Sequence, residues 1–359
     1  MTNRPPIAAP VRVHPAQKRI PINVLFGIPD DRSARVRVVD EGKRLDFVVL
    51  GTASIAPYLS KRFIPQMLYL HAGDEVPVRL GPGALLNHAA DADICRESLR
   101  LIERIALKVG RPCFNHPSAT ARTTRDEVAR RLSGISGLTV PGTIRTDAAT
   151  PHQLAEAVAR AGLAYPVLIR VAGSHGGLDM VRVAGPEAIE AVSTLRRDGR
   201  SLYVTEFRDF ASPDGHYRKA RIVVVGDQIF LRHFVIGNEW LLHTDKRAEN
   251  SEQEERAMFA AFDAEWVPRL QPIFSEIGRR LDLDFFGVDC NINSAGQVLL
   301  FEANSCMYIL NNMLPSPNMW DAPIERIKTA VEDLLAAPAK WRDAKRHAVP
   351  PHKHDDGSR

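Results

Sequence analysis

The sequence predicts an α/β fold arranged as three consecutive units. Three observations carry that expectation. Short β-branched runs alternate with amphipathic or proline-started helical segments. A glycine-rich loop, AGSHGG at 172–177, lies between two strand-like runs. Near the C-terminal end, GVDCNINSAGQVLLFEAN (287–304) reads as two apolar strands about a turn, with Asp289, Glu302 and Asn304 set into it.

Taken in order, residues 1–20 are polar and proline-containing and read as a loose tail. INVLFGI (22–28), RVRVV (35–39) and DFVVL (46–50) are strand-like. ALLNHAADAD leads into a helix over about 91–109, with Ile94, Leu101, Ile102, Ile105 and Val109 at helical spacing and Gly110 as its stop. These elements form an α/β unit over 21–118. In the second unit, 119–205, Thr124 caps a helix to Leu132 and Pro141 precedes a short strand. Thr150-Pro151 starts a helix ending near Gly162. YPVLIRV, MVRVAG and SLYVTEF are strands, and PEAIEAVSTLRR is a further proline-started helix. In the third unit, 206–338, Gly226-Asp227 marks a two-residue hairpin. Ser251 and Glu254 form a capping box opening a long helix that Pro268 and Pro272 kink or divide. The carboxylate-bearing hairpin follows, then a helix over 323–337. Residues 339–359 read as a polar, disordered tail.

The chain has 359 residues, 45% hydrophobic and 25% charged, ordinary values for a globular protein of two or three domains. A net charge of +4 is too small over this length to argue for nucleic acid, and part of it sits near the ends, as at Arg12, Lys18, Arg346 and Lys353. Cys95, Cys113, Cys290 and Cys306 form no CxxC pair, which disfavours a thiolate zinc site. With no signal-like apolar region and no membrane-length run, a cytoplasmic protein with reduced thiols and no membrane partner is expected.

The terminal hairpin carries the chemistry. Residues i and i+2 of a strand share a face, so Glu302 and Asn304 lie together. With Ala295-Gly296 as a two-residue turn, 294 pairs with 297 and Asp289 faces Glu302, roughly 5 Å away at Cβ. Two carboxylates that close repel unless a cation lies between them. Three hard oxygen donors on one rigid hairpin suit Mg²⁺. An EF-hand reading of Asp289, Asn291 and Asn293 fails, because Ser294 stands where glycine is required and Leu300 where glutamate is required.

The hairpin, with its Asp followed by Glu-x-Asn, resembles the metal-binding hairpin of the ATP-grasp superfamily. Further motifs agree in order over roughly 85–312. The resemblance implies an ATP-grasp fold of two subdomains clasping ATP, preceded by a small Rossmann-like domain. Arg170 of YPVLIRVAGSHGG stands where many members have the lysine of the α/β phosphates, and Gly173, Ser174, His175, Gly176 and Gly177 stand in the glycine-rich lid. Counting back from Pro141, Arg125 falls at the family's first phosphate-binding lysine. Arginine at both places keeps the charge and changes the geometry. YVTEFRDF resembles the adenine hinge, with Glu206 accepting from the exocyclic amine beside Phe207 and Arg208. Asp214 is the candidate for the ribose hydroxyls, though Ser-Pro-Asp-Gly is a turn sequence first. In the peptide-ligase branch an arginine opens the next strand. Arg221 takes that place facing the γ-phosphate and activated carboxyl, with Lys219, Arg232 and His233 as alternatives. Some relatives carry an arginine two positions before the metal aspartate, where this chain has Gly287. Asn87 is read as facing substrate. Asn311 and Asn312 after the hairpin are read either as substrate contacts or as turn caps.

The activity implied is ligation. A substrate carboxylate attacks the γ-phosphate of ATP, and an amine displaces phosphate from the acyl phosphate. The cofactors implied are ATP with two Mg²⁺ on Asp289, Glu302 and Asn304, Mn²⁺ being a substitute. The partners are a small-molecule carboxylate and amine, of amino acid or peptide type, with a homodimer as the common assembly. A kinase on the same fold and a nucleotide-binding protein without turnover are the alternatives.

Overall fold

The computed structural model describes residues 19–39, 42–71, 73, 79–242, 247–249, 251–312 and 314–347. Almost all of the expected N-terminal tail and residues 348–359 lie outside them. The first unit contains β1 (Ile20–Gly27), an antiparallel ribbon of β2 (Arg35–Val39) and β3 (Arg44–Val48), β4 (Phe63–Leu70), β5 (Ala84–Asn87), helix α1 (Arg96–Val109) and β6 (Cys113–Phe114). Strands β4-β1-β5-β6, in that order, make one parallel sheet. A parallel sheet is covered on both faces, which is why β1 reads as a continuous apolar run. Leu25 faces the core beneath α1, with Leu85, Leu99 and Ile102. Val24 and Phe26 face the other way, into a core shared with the C-terminal sheet. Helix α1 begins later than the apolar spacing implied because its cap comes from elsewhere: the Arg96 and Glu97 N–H groups donate to Asp30, at 3.0 Å each.

The second unit brings α2 (Pro117–Thr120), α3 (Arg125–Leu132), β7 (Leu138–Thr139), β8 (Thr143–Thr146), α4 (Pro151–Arg160), β9 (Val167–Val171), β10 (Met180–Val183) and β11 (Leu202–Glu206). Thr150 caps α4 in a full capping box with Gln153. The antiparallel sheet β10-β9-β11-β8 buries Val167, Ile169, Leu202 and Val204 against Leu154 and Val158 of α4. Its opposite face carries Arg170, Tyr203 and Thr205. The proline-started segment at 186–194 is a 3-10 helix rather than an α-helix.

The third unit is a five-stranded sheet, β13-β12-β14-β15-β7, formed by β12 (Tyr217–Val225), β13 (Gln228–Gly237), β14 (Phe285–Ile292), β15 (Val298–Asn304) and the borrowed strand β7. Its outer helices are α5 (Ser251–Ala261) and α6 (Val267–Leu281), joined through a π-helical turn at Phe262–Trp266 that ends two residues before Pro268. Glu254 pairs with Arg218 at 2.6 Å instead of completing a capping box. Val128 and Leu132 of α3 share a core with Phe274 and Ile277 of α6. Residues 125–139 therefore belong physically to the C-terminal sheet, although the expected unit boundary set them with 119–205.

Helix α7 (Asp321–Leu335) covers the shared core, and the chain continues through a 3-10 turn, Pro338–Lys340, into α8 (Arg342–His347). The tail expected from 339 thus begins as ordered structure. Trp341 is fully buried against Phe114, with ring centroids 5.3 Å apart. A short polar segment holding one large aromatic side chain gives little periodic signal, yet the area it buries is enough to order it.

One buried polar knot ties the units together. The Asn115 carboxamide donates to the Phe285 carbonyl at 2.7 Å and accepts from the N–H groups of Asp284 and Phe285 at 2.8 and 2.9 Å. Asp284 accepts from the N–H groups of Asn115 and Arg342, at 2.8 Å each. Burial pushes the Asp284 carboxyl up to about 6, against those two hydrogen bonds. The folded state therefore holds this proton more tightly than the unfolded chain. The stability it contributes is complete below the usual value of 3.8 and is lost as pH rises through about 6. Asp284→Asn is expected to remove that dependence. The wild-type minus variant difference in urea unfolding free energy should shift by roughly 2–3 kcal/mol between pH 4 and 7; a pH-independent difference rules the assignment out.

Candidate active site

The hairpin places its carboxylates as expected, by a different route. The turn has three residues, 294–296, with the Asn293 N–H donating to the Gln297 carbonyl at 3.0 Å and Gly296 at φ +77°. Ile292 pairs with Val298, and Cys290 with Leu300. A bulge then leaves Phe301 without a partner and returns Asp289 opposite Glu302. The extra turn residue and the bulge offset each other.

Asp289 is buried and held by Arg221, whose Nε and Nη2 reach its two oxygens at 2.6 and 2.9 Å; Lys219 Nζ stands 3.8 Å away. Burial raises the Asp289 carboxyl, but Arg221 and Lys219 outweigh it and hold the group well below the usual carboxylate range. This pairing follows from topology, since β12 sets Arg221 opposite Asp289. Glu302 is paired with Arg125 at 2.8 Å and accepts from Asn304 Nδ2 at 2.7 Å. Burial opposes its ionisation, and Arg125, Arg170 and His175 together bring its carboxyl down to about 2. Asn304 Oδ1 accepts from the Cys306 N–H at 3.0 Å. The three oxygen-bearing side chains thus lie on one rigid hairpin, both carboxylates ionised and each balanced by an arginine. This donor set fits a hard divalent cation such as Mg²⁺.

The lid closes over them. Gly173, Gly176 and Gly177 all take positive φ, between 65° and 72°. The Ser174 hydroxyl donates back to the Val171 carbonyl at 2.7 Å. His175 Nε2 meets Asp91 Oδ2 at 2.7 Å, and its Nδ1 lies 3.9 Å from Glu302. That contact with Asp91 is the main reason the imidazole holds its proton more tightly than usual. Arg170 Nη2 donates to the Ser174 carbonyl at 2.8 Å, while its Nε is buried without a hydrogen-bond partner among the described residues. Burial and the charge of Arg125 depress Arg170 to about 10. Two buried guanidiniums therefore share little more than one carboxylate, which is the electrostatic signature of a cradle for an anion.

Asp91 and Asp93, at the end of β5, reach the second unit. Asp93 accepts from Tyr203 Oη at 2.7 Å and from Arg145 at 2.8 Å. Asp91, His175 and Cys306 bring a carboxylate, an imidazole and a thiol within 4.8 Å of one another. With Arg125, Thr143, Thr205, Glu302 and Asn304, these residues line a cleft of about 650 Å³, its open mouth included. In ALLNHAADAD the sequence points to Asn87 as the residue facing substrate. Asn87 is buried and fully engaged, donating to the Asn115 carbonyl at 2.9 Å and Thr120 Oγ1 at 3.2 Å and accepting from the Ala89 N–H at 3.2 Å. The aspartates a few residues later reach the cleft instead. Their alternation, Asp-x-Asp at a predicted strand end, was the available signal.

The hinge residues stand elsewhere. The Glu206 carboxylate accepts from the N–H groups of Ala164 and Gly142 at 3.0 and 3.4 Å and pairs with Arg208 at 2.5 Å. The Phe207 N–H is taken by the Pro166 carbonyl at 2.8 Å. Asp214 accepts from the His216 N–H at 3.1 Å and pairs with Arg218 at 2.7 Å, as a turn residue does. Arg208 and Asp214 line a second, wider cleft together with Phe210, Trp266 and Asn291. It includes neither Asp289 nor Glu302, whereas the smaller cleft is lined by Glu302 and Asn304, with Asp289 outside its lining, so the smaller cleft is the candidate reaction centre. A Cβ at Gly287 would meet Met307 Sδ at 2.5 Å, so a side chain there requires Met307 to move. Lys219 and Arg221 supply the positive charge beside Asp289 from the adjacent strand. Asn312 donates to Asp321 at 2.7 Å and accepts from the Leu314 N–H at 3.1 Å, the turn-capping alternative.

Gly173 gives a direct test of the lid backbone. A Cβ there would meet Ile94 Cγ2 at 2.7 Å, at φ +72°. Gly173→Ala is expected to cost roughly 1–2 kcal/mol from the backbone alone, read by urea unfolding. A variant as stable as the parent would show that Gly173 does not hold this left-handed backbone in solution.

No family model matches the chain, and no curated protein matches it in sequence. Its fold does match solved structures. The VanG D-Ala:D-Ser ligase from Enterococcus faecalis superposes with a TM-score of 0.52 at 15% identity, covering 89% of this chain and 99% of that one. D-alanyl-alanine synthetase A from Vibrio cholerae gives 0.50 at 11% identity, covering 89% and 98%. The fold is the ATP-grasp fold, and it spans most of the chain. No helix among the described residues is long and apolar enough to cross a membrane.

Proposed function

We propose that this chain is an ATP-dependent ligase that joins a small carboxylate to an amine and releases ADP and phosphate. The observation that carries the reading is the pair Asp289 and Glu302, opposed on one hairpin beneath a glycine-rich lid, with Arg125 and Arg170 beside them. ATP places its phosphates against Arg125, Arg170 and the lid N–H groups. Asp289, Glu302 and Asn304 hold Mg²⁺, which neutralises phosphoryl charge when bound. Arg221 and Lys219 orient the substrate carboxylate once they leave Asp289. A carboxylate oxygen attacks the γ-phosphorus and ADP departs, leaving an acyl phosphate. The amine nitrogen then attacks the carbonyl carbon, loses a proton and expels phosphate. Positioning and charge neutralisation are the main catalytic needs, and the lid keeps water from the acyl phosphate. Glu206, Phe207 and Arg208 form the hinge toward which the base points; the Glu206 carboxylate and the N–H groups of Glu206 and Phe207 are engaged, so the backbone at Arg208 is the proposed contact. Asp214 remains the candidate for the ribose, at the mouth of the wider cleft.

The test is phosphorus NMR of the purified chain with Mg²⁺, ATP and pooled carboxylates, with and without pooled amines. Phosphate and ADP appearing only when both pools are present support the ligase. A persistent phosphoester with ADP replaces it with a kinase. Unchanged ATP that nevertheless binds in a titration replaces it with a binding protein.

A further inference from the structure

Beside Asp289 the sheet carries a second set of donors that the proposed reaction leaves unused. Strands β12 and β13 lose register after Arg221, which pairs with His233, while Ile222 pairs with Leu231. Arg232 is the residue left over, and a bulge of this kind re-aims side chains beside a site. Both residues are buried, with Arg232 3% and His233 6% exposed. Arg232 is fixed as a planar fork. Its Nε donates to the Ile309 carbonyl at 2.7 Å and its Nη2 to the Asn311 carbonyl at 2.8 Å, and its guanidinium lies 5.2 Å from the centre of the Trp320 ring. Its Nη1 is buried with no hydrogen-bond partner among the described residues, and so is His233 Nε2.

The surrounding charges do not satisfy them. Asp289 is spoken for by Arg221 and Lys219. The other buried carboxylate nearby, Glu255, accepts from Arg247, from Trp320 Nε1 at 3.0 Å and from the Phe234 N–H at 2.8 Å. Tyr58, from the first unit, is the remaining titratable neighbour of Arg232. Leaving a buried guanidinium edge and a buried ring nitrogen without acceptors costs free energy that a bound anion would restore.

We propose that Arg232 and His233 form a subsite for a second anionic group on the substrate, so that the acid activated at Arg221 also bears a distal carboxylate or phosphoryl group. The choice of which end reacts rests on the ligase reading. The binding of a doubly anionic acid does not. With its proton on Nε2, His233 donates alongside Arg232 Nη1, and the neighbouring strand sets Arg221 opposite His233 for the reacting end.

The experiment is isothermal titration of the full chain with Mg·ADP present. The doubly anionic probes are malonate, succinate, glutarate, L-aspartate, L-glutamate and 3-phosphonopropionate, and the singly anionic controls are propionate and L-alanine. At least one doubly anionic probe is expected to bind ten times or more tighter than either control. That preference should fall tenfold or more in Arg232→Gln and in His233→Gln, while Mg·ATP affinity stays within twofold. Arg232→Lys, which keeps the charge and loses the fork, should lose part of it and serves if the glutamine variant does not fold. Succinate or aspartate best places a carboxylate in the subsite, and 3-phosphonopropionate best places a phosphoryl group there. Equal binding of singly and doubly anionic probes, binding of neither, or a preference that survives all three substitutions overturns the subsite and leaves buried water as the occupant. A doubly anionic preference that depends on Arg232 but drives no ATP turnover keeps the subsite and removes the ligase. Turnover driven by singly anionic acids alone does the reverse.

Discussion

Glu302→Gln is expected to leave a folded chain that binds nucleotide and turns over ATP at least roughly a hundredfold more slowly, a loss of about 3 kcal/mol of transition-state stabilisation. Glutamine keeps the shape and an oxygen acceptor toward Arg125 and Asn304, but it removes the charge that would face the metal. Alanine is the harsher change. It leaves Arg125 buried without its carboxylate, and losing one partner of a buried ion pair costs about 3–5 kcal/mol in stability. The glutamine variant therefore separates chemistry from folding. Asp289→Asn should behave alike, since Asp289 is the other carboxylate of the pair and Arg221 would lose its charged partner. The check is steady-state ADP release at saturating Mg²⁺, with Mn²⁺ binding followed by electron paramagnetic resonance. A Glu302→Gln variant with wild-type turnover and wild-type Mn²⁺ affinity would remove Glu302 from the metal set and take the main support of the proposed activity with it.

Trp341→Ala is expected to destabilise the chain by about 3–5 kcal/mol, the range for deleting a fully buried large aromatic side chain. The side chain packs on Phe114 and sits in the core common to the first and third sheets, with Ile327, Val331 and Leu335. Its Nε1 also donates to the Leu334 carbonyl at 2.7 Å. A truncation after residue 337 should lose at least as much, because it also removes Arg342 from Asp284 and Asp343 from the Cys113 N–H. Urea unfolding with an unchanged midpoint in either variant would show that the segment after Pro338 is an appendage.

What the sequence disclosed, and what it hid, divides along physical lines. The carboxylate pair was legible because strand alternation and hairpin pairing are local rules. Even so, the pairing of Asp289 with Glu302 came from two departures that cancel, a longer turn and a bulge at Phe301. The two-residue turn at Gly226-Asp227 was legible for the same reason, and Val225 does pair with Gln228. The roles of Glu206 and Asn87 were not legible, because each side chain is claimed by backbone groups far away in sequence. Glu206 serves Ala164 and Gly142, and Asn87 serves Asn115 and Thr120. The contacts of Asp91 and Asp93 with the lid and the second sheet are likewise long-range. So is the partnership of Arg221 with Asp289, which depends on β12 lying beside β14. Position 287 shows the converse. The missing arginine was visible in the sequence, but the reason, a backbone packed against Met307, was not.

The Asn115–Asp284–Arg342 knot has a consequence for how the chain is made. The strand bearing Asp289 begins at Phe285, and Phe285 is seated by Asn115 and anchored next to Asp284. Asp284 accepts from both Asn115 and Arg342, and the Cys113 N–H finds its acceptor in Asp343, 230 positions later. A chain still emerging from the ribosome thus has its carboxylate hairpin and glycine-rich loop synthesised before the last contacts of the knot that aligns them. Until residues 342 and 343 are in place, the bonds of Asn115 to Asp284 and Phe285 stand without the Arg342 and Asp343 contacts that complete the knot. The knot is completed from residues 341–343, and a product ending before Trp341 would lack both the buried indole and the Arg342 and Asp343 contacts.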